Sequence, residues 1–227
     1  MALKHPPYSP PGQGFHYSDT NYILLGLIIE QITHQPVEAV FQQRVFTPLG
    51  MHETVMPALT STAFPTPHPH GYQYGSSNQA MGEPVLTGAA AAHANASAGT
   101  PRDVTALNPS EAWTAGAVIS TLHDLKIWAR ALATGTLLTA QMQHERLSSM
   151  VPIDRLGDSH GLGIGRIYGL LGYNGQIQGF STSMLYQPKR QATVIVLVNL
   201  TATPDRNLPS SLLIAPILTQ LFAKPRR

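Results

Sequence analysis

The sequence predicts an α+β fold, with helices first and an antiparallel sheet after them. Three observations carry that prediction. Apolar residues at helical spacing, closed by Gly or Pro, dominate residues 19–50 and 120–150. Strand-like runs rich in Val, Ile and Tyr then fill residues 160–200. A last apolar helical run, residues 208–223, follows the strands and is placed to pack back on them.

Each element has a local cause. Pro6, Pro7, Pro10, Pro11 and Gly12 make the entry extended and turn-rich. Ser18 or Asp19 can cap a first helix. Its run Tyr22-Ile23-Leu24-Leu25-Gly26-Leu27-Ile28-Ile29 is apolar on nearly every face, which places that helix in a core. Pro36 opens a second helix, with Val37, Val40, Phe41 and Val45 near helical spacing, and Pro48-Leu49-Gly50 stops it. Residues 57–110 are rich in Pro, Gly, His, Ser and Ala, and read as a long irregular loop region within one domain spanning 1–227. Ser120 starts a third helix that ends at Gly135, and Thr139 caps a fourth. Strands are expected at 160–168, 176–186 and 192–200, the last two joined through Pro188-Lys189-Arg190-Gln191 as a hairpin. Val194 to Val198 show no polar alternation, so that strand should be covered on both faces.

Composition excludes several function classes. Apolar residues make up 43%, enough for a core, and charged residues only 11%, against roughly 25% in an average soluble domain. Net charge is +2 and the one basic cluster is Lys224, Arg226 and Arg227, so nucleic acid is not an expected partner. The absence of Cys removes disulfides, thiolate zinc sites and Cys nucleophiles. His68, His70 and His93 stand in no zinc-like spacing, and no metal or cofactor is expected. No signal peptide is visible, and residues 208–223 are too short and interrupted to span a bilayer. A soluble protein is expected; its compartment stays open.

The motifs then speak together. Pro11-Gly12 leads to Phe15 and to Tyr17-Ser18-Asp19-Thr20-Asn21-Tyr22, followed by Leu24-Leu25-Gly26. Thr47-Pro48-Leu49-Gly50-Met51, Trp113-Thr114-Ala115-Gly116, Asp124-Leu125, His160-Gly161-Leu162-Gly163, Gly172-Tyr173-Asn174-Gly175 and Gly179-Phe180-Ser181 come after it in order. This series resembles the class C β-lactamase, DD-peptidase and serine esterase family, the penicillin-binding-protein-like hydrolases. The resemblance implies a β-lactamase/DD-peptidase-like fold, an antiparallel sheet flanked by helices. It implies acyl-serine hydrolysis of a β-lactam, a D-amino-acid peptide or an ester.

Carried over residue by residue, the resemblance makes Tyr17 the general base. A free phenol titrates near pH ~10, so Tyr17 would need neighbouring cations to ionise near neutrality; a tyrosine that merely anchors the helix start is the plainer role. Asp19 takes the place of the family's usual Asn, either as a site residue or as a helix cap. A carboxylate cannot donate to a substrate carbonyl as an amide can. Tyr173, Asn174 and Gly175 take the place of Lys/His-Thr-Gly, so the cation that helps bind a substrate carboxylate is gone. Gln176 keeps an N–H for the oxyanion; the plainer role for this segment is an ordinary edge strand.

One element of the family pattern is not found. No Ser has a Lys three residues on, and Gly-x-Ser-x-Gly is also missing. The expectation is therefore an incomplete domain, without the N-terminal strands and the nucleophile helix, and inactive by itself. Two alternatives follow: a non-catalytic module binding a small molecule, peptide or protein, or a half completed by another chain. Without the covering strands, an exposed sheet edge should favour pairing with a second copy or with a complementing chain.

Overall fold

The computed structural model describes residues 6–75, 84–107, 109–153 and 158–222. Helix α1 (Asp19–Thr33) follows extended Ser18, which makes no side-chain cap. Gly26 is its only buried residue. There the helix touches a 3-10 segment, Pro109–Ala115, so closely that a Cβ on Gly26 would lie 2.5 Å from Thr114 Oγ1. Thr114 Oγ1 in turn donates to the Tyr22 carbonyl at 2.9 Å. The other faces of α1 are exposed: Leu25 by 53%, Ile28 by 51% and Ile32 by 73%. An apolar helix expected in a core thus packs on one side only, because no described residue covers the rest.

Helix α2 (Val37–Phe41) runs through a π turn, Gln42–Phe46, into short α3 (Thr47–Leu49), closed by Gly50 at φ 72°. Val37, Phe46, Met51, Met56 and Trp113 form a core beneath them. The 57–110 region carries more order than its composition suggests. Strands β1 (Tyr72–Gln73) and β2 (Arg102–Asp103) pair, and Gly88–Ser97 forms helix α4. Four successive alanines from Ala89 supply the best helix former, which offsets the lack of any buried face. Residues 76–83 and 108 of that region lie outside the described residues.

Helix α5 (Leu122–Thr134) is capped by Thr121, one residue after the expected start, and ends at Gly135 at φ 72°. Thr139 caps α6 (Ala140–Ser148) by accepting from the Met142 N–H. The sheet then runs β3 (Val151–Pro152), β4 (Ser159–His160), β5 (Gly165–Ile167), β6 (Leu170–Ile177), β7 (Phe180–Gln187) and β8 (Ala192–Val198), antiparallel and in chain order. Two predicted strands prove to be hairpins. Gly163, at φ 67°, lies in the turn between β4 and β5, and Gly179, at φ 88°, in the turn between β6 and β7. The predicted β7–β8 hairpin through residues 188–191 is present.

Alternation along β7 sets two layers. Met184 and Tyr186 pack with Ala129, Leu132 and Ala133 of α5. Leu185 packs with Ile214 and Leu218 of the last helix, α7 (Pro209–Phe222). Strand β8 ends the sheet, with Val194 buried but Leu197 exposed, so its cover is partial rather than complete. No helix among the described residues is long and apolar enough to cross a membrane.

Candidate active site

Pairing of β5 with β6 stops at Gly172. Beyond it, among the described residues, Tyr173 to Ile177 pair only with β7, leaving the other edge of β6 open. Gly172 can be nothing larger, since a Cβ there would lie 2.0 Å from the Met184 carbonyl oxygen. The open edge meets the start of α1, where the Tyr22 and Tyr173 hydroxyls are 3.4 Å apart. The Tyr17 ring lies 5.7 Å from that of Tyr22, and the Tyr17 hydroxyl donates to Asp19 Oδ1 at 2.9 Å. From β4, the His160 ring lies 5.1 Å from Tyr173, with Phe15 edge-on to it at 5.4 Å. Gly165 leaves room for that imidazole, because a Cβ would come within 3.3 Å of it. Beneath this cluster is a cavity of about 230 Å³, lined by Tyr22, Tyr173, Trp113, Thr114, Trp128 and Gly163 among others.

Three predicted residues, Tyr17, Asp19 and Tyr173, therefore come together from ends of the chain that are far apart in sequence. Asn174, Gly175 and Gln176 continue along the open edge. A Cβ built on Gly175 would meet nothing within 4 Å, so the space beside it is free. The Gln176 side chain is tied back, donating to the Thr201 carbonyl at 2.9 Å. The segment is an interior strand up to Gly172 and an edge only after it. Phe15, Tyr22 and His160, motif residues to which the resemblance assigns no role, join the site. A single strand over 160–168 does not place the His160 ring in the site. It is the β4–β5 turn that sets its ring over Gly165.

The electrostatics are set by burial and by one carboxylate. Burial raises the Tyr17 phenol well above its ordinary value of 10, and the hydrogen bond to Asp19 and its charge add to the effect. Tyr173 is raised in the same way, by burial first and then by its contact with Tyr22. Both are protonated at neutral pH. Burial lowers the His160 imidazole, opposed in part by Asp158, so it is neutral there. His70 Nδ1 lies 2.6 Å from Asp103 Oδ2, away from this site. No group of three or more potential metal ligands is assembled among the described residues.

A family model described as Beta-lactamase matches residues 1–215. Among solved structures, a D-stereospecific amidohydrolase from Streptomyces sp. superposes with a TM-score of 0.76 at 26% identity, over 98% of this chain and 59% of that one. The D-amino acid amidase from Ochrobactrum anthropi SV3, complexed with D-phenylalanine, gives 0.75 at 26% identity, over 97% and 62%. A putative D-alanyl-D-alanine carboxypeptidase of Escherichia coli (strain K12) is 38% identical over 55 residues, 24% of this chain and 13% of that protein. The chain thus spans about three fifths of the solved relatives.

Proposed function

From the chain's membership of the Beta-lactamase family, we propose that it is the substrate-bordering part of an acyl-serine hydrolase, and that the nucleophile belongs to a Ser-x-x-Lys segment outside these 227 residues. The observation that carries this function is the meeting of Tyr17, just before α1, and Tyr22 on α1 with Tyr173 on the open edge of β6. Once the Tyr17 phenol is ionised, serine Oγ attacks the substrate carbonyl and passes its proton to that phenolate; the same proton then goes to the leaving amine or alcohol, which restores the phenolate. Water repeats the sequence on the acyl-serine and frees the acid. Tyr17 needs a nearby cation for the first step, since its phenol is raised here, and the lysine of Ser-x-x-Lys supplies one.

Amides or esters fit better than carboxylate-bearing β-lactams, because Tyr173 replaces the cation that would bind a substrate carboxylate. The two solved relatives with amidase activity in their names agree with this. A second function is favoured by the open edge at residues 173–177, which an extended peptide can join as an added strand without any chemistry. A partner chain that covers the exposed face of α1 is part of either function.

Incubation with a fluorescent fluorophosphonate and a fluorescent penicillin, read by intact mass, separates these functions. The chain alone should gain no adduct; a stoichiometric adduct would overturn the proposal and name an unrecognised serine. Supplying in trans the part of the Streptomyces amidohydrolase that has no counterpart here should give a labelled, co-eluting complex, and Tyr17→Phe should abolish the label. A co-eluting complex that never labels would leave only the peptide-binding function.

A further inference from the structure

The junction of α5 and α6 holds a second cavity, of about 300 Å³. It shares Trp128 and Leu132 as walls with the cavity beneath Tyr22 and Tyr173. Arg44 and Val45 line it from the π turn, Leu138 from the connection between the helices, and Arg146 from α6. Two of these residues are cations, and no Asp or Glu lines the cavity among the described residues. We propose that this cavity binds a small organic carboxylate with an apolar body, such as a medium-chain fatty acid. The site is independent of the hydrolase function above.

Arg146 is the anchor. It is half-buried, and its Nη2 donates to the Leu132 carbonyl. Its Nε is buried without an acceptor among the described residues. Neither Arg146 nor Arg44 makes an ion pair among the described residues. A guanidinium does not give up its proton in a protein, so a positive charge is held here with part of its hydration removed and no counter-ion. Burial lowers the Arg146 guanidinium from its ordinary value, as expected of a cation without a carboxylate beside it. The carbonyl end of α5 offsets only part of that charge, through Leu132 in its last turn. A carboxylate in the cavity supplies the rest through charge-assisted hydrogen bonds. Arg44 is exposed and adds a second charge of the same sign. Val45, Trp128, Leu132 and Leu138 give the hydrocarbon part its walls. Small-molecule pockets run from roughly 300 to 1,000 Å³, so this one limits the ligand to a short chain or a single ring.

The test needs binding only, so it uses the chain as it is. Sodium octanoate is titrated against octanamide, a neutral ligand of the same length, and inorganic phosphate, an anion without an apolar body. Calorimetry gives Kd, and tryptophan emission reports the place, because Trp128 lines the cavity and is one of 2 tryptophans in the chain. Octanoate should saturate within the millimolar range and change the emission. Octanamide should bind about tenfold more weakly, and phosphate should not compete. Arg44→Gln should weaken octanoate by about threefold and Arg146→Gln by about tenfold, with octanamide unaffected by either. The exposed apolar faces of α1 and α7 would take octanoate and octanamide alike and ignore both substitutions. No saturable binding of octanoate, equal affinity for octanamide, or equal competition by phosphate would overturn the inference. So would an affinity that neither substitution lowers, or binding that leaves the emission unchanged. If Arg146→Gln does not fold, Arg44→Gln and the octanamide comparison decide.

Discussion

His160 is held half-buried between Phe15 and Tyr173. Burial lowers its imidazole from the ordinary 6.5, with Asp158 opposing. The unfolded chain therefore takes up that proton first. Between the lowered folded value and about 6.5 the unfolded state holds more protons, so stability falls as pH drops through that window. His160→Gln should lose less of its urea midpoint between pH 7.5 and 5 than the wild type does; an equal loss would show that His160 does not couple folding to pH. The neighbours of Tyr17, Asp19 and Tyr173 in sequence make a pattern, and the structure brings these three side chains near one another. Tyr22 and His160 stand in the same motifs, but that they face Tyr173 depends on a turn and a crossing outside the local pattern.

Among the elements, the start of α5 shows how a buried charge can organise a junction. Asp124 is buried, and its Oδ2 accepts from the Glu53 N–H at 2.8 Å and from Thr54 Oγ1 at 2.7 Å. It also lies in the first turn of the helix, where the dipole favours a negative charge. Asp124→Ala would leave both donors without that acceptor, at a cost of about 2–4 kcal/mol. Thermal or urea unfolding measures it, and a loss under about 1 kcal/mol would mean that water replaces the carboxylate. Helices with side-chain caps or glycine stops were read from the sequence to within a residue or two, because Thr121, Gly135 and Thr139 act locally. The β4–β5 and β6–β7 hairpins were missed where Gly163 and Gly179 turn the chain inside apolar runs. Helix α4 was missed because small residues signal a loop and a helix alike.

At the scale of the molecule, the accessible surface is 14435 Å² for 24.5 kDa, where a compact monomer of that mass exposes about 10,000 Å². Part of the excess is apolar: Leu25, Ile28 and Ile32 on α1, and Leu212, Leu213 and Leu221 on α7. Among the described residues no further strand of the sheet pairs with the outer edge of β8, which adds to it. Such faces favour association. Sedimentation should show species larger than the monomer that grow with concentration, and Leu25→Glu with Ile32→Lys should shift them towards monomer. A single monomeric species at every concentration would count against it. The sequence's reading of α1 as a core helix and its exposure here describe one fact, a helix whose composition assumes a cover.

The same wet faces bear on how stability changes with temperature. Apolar area that already touches water in the folded state is not newly hydrated on unfolding. The heat-capacity increment per residue then falls below the roughly 12–15 cal/mol/K usual for globular proteins. The stability curve of the chain should be correspondingly flat, and covering α1 should make it steeper.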